Sequence, residues 1–77
     1  MTEEQLKKTP FHFVSHINMA DVHISTYASK DGKLGFVDYC PMKDDMPHGR
    51  AFRHYLIEGK EYKTWKKFIE ALKDYES

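Results

Sequence analysis

"VHISTYASKDGKLGFVDYC", residues 22–40, decides the fold. Val22, Ile24 and Thr26 alternate with His23, Ser25 and Tyr27, which is the two-residue period of a half-buried strand. Asp31-Gly32 follows inside "SKDGK", and such a pair marks a hairpin because glycine enters positive φ without steric cost. "LGFVDYC" reads as the returning strand, with Leu34 and Phe36 on one side and Val37 and Tyr39 on the other.

Working outward, "FHFVSHI" (11–17) sets Phe11, Phe13 and Ile17 against His12, Val14 and His16, another strand, joined to the first through "NMAD". Downstream, "PMKDDMPHG" reads as a loop bracketed by Pro41 and Pro47. "RAFRHYLI" alternates Phe52, His54 and Leu56 with Arg53, Tyr55 and Ile57, and "EG" then turns the chain into a brief "KEY". In "TWKKFIEALKDYES", Trp65, Phe68, Ile69 and Leu72 fall at i, i+3, i+4 and i+7, one apolar helical stripe with Thr64 as its N-cap. "TEEQLKK" supports a helical turn after Thr2, ended by Thr9-Pro10. The expected fold is therefore α+β: a three- or four-stranded antiparallel meander with one C-terminal helix packed on one face and a short N-terminal helical turn. As a single domain it divides into an arm at 1–9, a sheet at 10–63 and a helix at 64–76.

Seventy-seven residues hold one hydrophobic core and leave a small margin, about 3–5 kcal/mol, once chain entropy is offset. The candidate core is Leu6, Phe11, Phe13, Ile17, Val22, Ile24, Leu34, Phe36, Phe52, Leu56, Trp65, Phe68, Ile69 and Leu72. Twelve basic residues balance twelve acidic ones, so no global field steers the chain toward a polyanion. Cys40 is the single cysteine, which rules out an internal disulfide. The acidic start carries no apolar run, so no signal peptide is expected, and the short apolar stretches fall far below the roughly 20 residues of a membrane span. The expectation is a soluble cytoplasmic protein.

One helix shelters one sheet face. If it covers Phe11, Phe13, Ile17, Val22, Ile24, Leu34, Phe36, Phe52 and Leu56, the other face carries His12, Val14, His16, His23, Tyr27, Val37, Tyr39, Arg53, Tyr55 and Ile57. Tyrosine and arginine are enriched in interface hot spots. The expected function is thus a non-enzymatic protein-interaction module, an accessory factor or inhibitor of a larger protein. Tyr27, Tyr39, Arg53 and Tyr55 are its anchors, with His12, His16 and His23 beside them, and the loop at 42–48 forms a rim. The partner is another protein or a second copy. Against this stands plain sheet packing, since tyrosine is a good strand former and cross-strand aromatic pairs stabilise a sheet by themselves.

Other chemistries are weaker. His12 and His16 would share a strand face about 13 Å apart, too far to hold one ion, although either with His23 across a hairpin would be close enough for zinc. Cys40 lacks a glycine-rich oxyanion turn or a helix N-terminus that would activate it. Asp44-Asp45 has no third carboxylate to complete a cation site. No catalytic residues, cofactor or metal set are expected. Weak single-stranded nucleic-acid binding is the main alternative, with aromatics stacking bases and His48, Arg50 and Arg53 meeting phosphates.

Overall fold

The computed structural model describes residues 2–75. Thr2 caps α1 (Glu3–Lys8) reciprocally: the Gln5 N–H donates to the threonine hydroxyl, and the Thr2 N–H donates to Gln5 Oε1. Glu3 and Glu4 in the first turn and Lys7 and Lys8 in the last complement the helix dipole. Six strands follow: β1 (Phe11–Asn18), β2 (Val22–Ser29), β3 (Leu34–Lys43), β4 (Met46–Pro47), β5 (Phe52–Ile57) and β6 (Lys60–Tyr62). The chain then enters α2 (Trp65–Lys73). All pairings are antiparallel in the order β1-β2-β3-β5-β6, with β4 folded back on the end of β3.

The α+β class and the C-terminal helix agree with the sequence reading, but the strand number does not. The stretch read as a loop prolongs β3 to Lys43 and returns as β4. Asp44 and Asp45 make the turn at positive φ, 53° and 63°, a region that short polar side chains tolerate better than most. Pro41 fits because β5 pairs with β3 only as far as Tyr39, so no ladder hydrogen bond on that side is missing. Thr64 caps α2 by accepting from the Lys67 N–H at 3.2 Å. The helix ends at Lys73, short of the expected 76; Glu76, like Met1 of the expected arm, lies outside the described residues.

The nine residues of α2 span about 14 Å, against a molecular long axis of 43 Å. The helix rests on β5 and β6, toward the edge of the sheet away from β1. Its Phe68 and Leu72 join Leu6, Leu34 and Ile57 in the core, with Phe11, Tyr55, Tyr62, Ile69, Ala71 and Tyr75 packed around them. This corrects the expected core in both directions. Phe13, Ile17, Phe52 and Trp65 are exposed, whereas Val37 and Ile57, expected to face outward, are buried. The helix sits over the alternate set of β5 that includes Tyr55 and Ile57, not over Phe52 and Leu56.

Register fixes the two faces, since directly paired residues share one. The helix-bearing face carries a row of five rings, one from each strand of the main path: Phe13 opposite Tyr27, then Phe36, Tyr55 and Tyr62. The next row is His16, Ser25, Asp38 and Arg53, and beyond it stand Asn18, His23 and Cys40. The opposite face carries His12, Ile17, Ile24, Val37, Tyr39, Phe52, His54 and Leu56 among others. No described helix is long and apolar enough to cross a membrane.

Candidate interaction surface

The seven anchors expected on one face are divided between two. His16, His23, Tyr27, Arg53 and Tyr55 stand on the helix-bearing face, and His12 and Tyr39 stand on the back. His12 and His16 part company because a β-bulge between Phe13 and Ser15 shifts the register of β1 by one residue. Tyr55 is half-buried and engaged by the helix: its ring stacks on Phe68 (4.9 Å, 19°) and meets Trp65 edge-on at 5.4 Å.

Four of the seven do come together, on the part of the helix-bearing face that α2 does not reach. Tyr27 stacks on Phe36 at 4.9 Å and takes Phe13 edge-on at 5.9 Å. The Arg53 guanidinium lies 4.2 Å above the Phe36 ring and forks onto Asp38, Nε to Oδ1 at 2.6 Å and a terminal nitrogen to Oδ2 at 3.2 Å. Those hydrogen bonds push its already high pKa further up, so Arg53 is a cation held by both a ring and a carboxylate. His16 Nδ1 lies 2.8 Å from Ser25 Oγ, and its ring meets that of His23 at 5.7 Å. His16, His23, Ser25, Asp38, Cys40 and Arg53 line a shallow depression of about 490 Å³.

The His16–Ser25 pair has residue types seen in nucleophilic catalysis, and Asp38 is next in the row. Both Asp38 oxygens are taken by Arg53, however, so the carboxylate does not orient the imidazole as a third member would. Among the described residues, no three of His, Cys, Asp and Glu converge to hold a metal ion; His16 and His23 approach each other without a third ligand.

The back face has its own aromatic group. Tyr39 stacks on Phe52 at 4.9 Å and 13°, and His54 tilts against both while contacting Glu61 through Nδ1. Burial, with a smaller push from Glu61, raises the Tyr39 phenol, so it remains a neutral hydroxyl. Reading the strands singly missed Phe13, Phe36 and Asp38 as members of the open patch, and His54 and Glu61 on the back. The signal for the first group lay in the hairpin: a turn centred on the Asp31–Gly32 bond puts Tyr27 opposite Phe36 and Ser25 opposite Asp38. No family model, no curated protein and no solved structure matches this chain.

Proposed function

We propose that this chain is a non-enzymatic protein-interaction module of the cytoplasm, an accessory factor or inhibitor that docks the open half of its helix-bearing sheet face onto another protein. The observation that carries the reading is the half-covered ring row. Tyr55 and Tyr62 lie among the helix residues, while Phe13 in the same row is 57% exposed beside Tyr27, Phe36 and a pre-oriented Arg53. Rigid rings next to an arginine already fixed in place lose little freedom on binding, which favours their use as anchors. The depression lined by His16, His23 and Asp38 adjoins them as a polar rim.

The test is a pull-down of wild type beside a folded Phe13→Ala/Tyr27→Ala variant. Tyr55 is left intact because its ring packs on α2 and its loss would damage the fold. A defined partner captured by wild type and lost by the variant is the expected result. Retention of every partner overturns the reading.

Single-stranded nucleic acid is the second reading, and the same open rings support it, since bases stack on aromatics presented by a sheet. It ranks lower because the cation at the patch, Arg53, is already neutralised by Asp38, and phosphate contacts supply most non-specific affinity. A labelled single strand that shifts on wild type, with affinity falling steeply as salt rises, would reverse this ranking.

A further inference from the structure

The two edges of the sheet are finished differently. β6 is three residues long, includes Lys60 and Glu61, and has α2 packed against it. β1 is eight residues long and contains no Lys, Arg, Asp, Glu or Pro. Phe13, Val14 and Ile17 within it, and Met19 just after it, are each more than half exposed. An edge strand offers a row of unpaired N–H and C=O groups, which proteins usually blunt by shortness, charge, proline, cover or a bulge. Of these devices β1 has only the bulge.

That bulge gives the strand an internal symmetry. Phe11, Phe13, His16 and Asn18 stand on the helix-bearing face, and His12, Ser15 and Ile17 on the back. Counting both ways from the midpoint between Val14 and Ser15, Phe13 matches His16, His12 matches Ile17, and Phe11 matches Asn18, each pair on a common face. An even-length strand with unbroken alternation cannot pair antiparallel with itself over its whole length without setting opposite faces together. The bulge removes that conflict.

Resting on the reading of the chain as a protein-interaction module, we propose that the β1 edge is a homodimer interface. Two copies pair antiparallel about a two-fold axis perpendicular to the sheet, close to Val14 and Ser15, and the two five-strand paths become one sheet. A second copy suits this edge because its face order is self-complementary and because a strand without formal charges brings no like-charge repulsion to its own image. The same axis keeps both helices on one side. The two open ring patches then meet across the new seam, with Phe13 of each copy opposite His16 of the partner subunit.

Sedimentation equilibrium of the full chain over a micromolar dilution series tests this. The expected mass is twice that of the 9.1 kDa chain. Val14→Lys places two ammonium groups near the axis and is expected to raise the dimer dissociation constant by about a hundredfold. Its far-ultraviolet circular dichroism should be unchanged, since Val14 is exposed. Should that variant fail to fold, Val14→Cys in a Cys40→Ser background decides instead, because cysteines flanking the axis will cross-link on mild oxidation. A monomer at every concentration overturns the proposal. So does a dimer insensitive to Val14→Lys; its loss in Phe52→Lys would assign the contact to the back face. A monomer that still captures a partner through Phe13 and Tyr27 defeats the dimer alone. A β1 dimer that captures no other protein leaves the dimer standing and removes the docking reading.

Discussion

The two ends of this sheet put the same kind of side chain to opposite uses. At the β5–β6 end, Tyr55 and Tyr62 lie with Phe68 in a ring cluster around Leu34, Ile57 and Leu72. At the β1–β2 end, Phe13 and Tyr27 continue the same row of rings, yet Phe13 keeps 57% of its surface in water. The difference comes from placement: the nine-residue helix packs on β5 and β6, at the opposite edge of the sheet from β1. Stability is therefore concentrated at one end, and the surface available for binding at the other.

The largest test of that contrast compares two phenylalanines. Phe68→Ala empties a site that is 2% exposed and is expected to cost about 3–5 kcal/mol. That is the whole margin of a domain this size, so the variant should be largely unfolded in urea-free buffer by circular dichroism. Phe13→Ala should change stability by only about 0.5 kcal/mol while it weakens partner capture. Equal destabilisation by the two would mean that the open end is part of the core after all.

A smaller effect is expected where the two ends join. Gly35 pairs with Ala28 on one side and Leu56 on the other, and a Cβ there would lie 2.6 Å from the Tyr27 carbonyl oxygen. Backbone of β2 or β3 must shift to admit it, so Gly35→Ala is expected to cost about 1–3 kcal/mol. Amide exchange should quicken along the β2–β3 ladder. Unchanged exchange would show that the ladder tolerates the methyl group and that the joint is looser than its geometry.

Element types were legible in the sequence because each rests on local information. The Trp65-Phe68-Ile69-Leu72 stripe, the Thr2 and Thr64 caps and the Asp31-Gly32 turn all concern residues a few positions apart. Face assignment was harder, because either alternate set of a strand can turn inward. In β5 pattern alone favours Phe52 and Leu56 as the inward set, yet the set containing Arg53 faces the helix side. Phe36 makes that possible by receiving the guanidinium on its ring, a contact between strands that no reading of β5 alone contains. The bulge at Val14 is equally invisible to a period count, and it alone separates His12 from His16.

The smallest expected effect belongs to the turn between β2 and β3. Ser29 is buried; its hydroxyl accepts from the Leu34 N–H at 3.1 Å and donates to Asp31 Oδ1 at 2.7 Å, where the Lys33 N–H also donates at 3.0 Å. The Ser29 hydrogen bond, followed by that from Lys33, holds the Asp31 carboxyl below its ordinary pKa. A carboxylate stabilised only in the folded state contributes stability above the ordinary carboxylate range, and that contribution is lost as pH falls through the folded-state pKa. Asp31→Asn keeps an acceptor oxygen but cannot titrate. Urea midpoints for the two proteins should therefore differ at neutral pH, in favour of wild type, and converge in strong acid. The other carboxylates titrate in both chains and cancel in the comparison, so a gap that persists unchanged into acid would show that charge at Asp31 has no part in holding the β2–β3 turn.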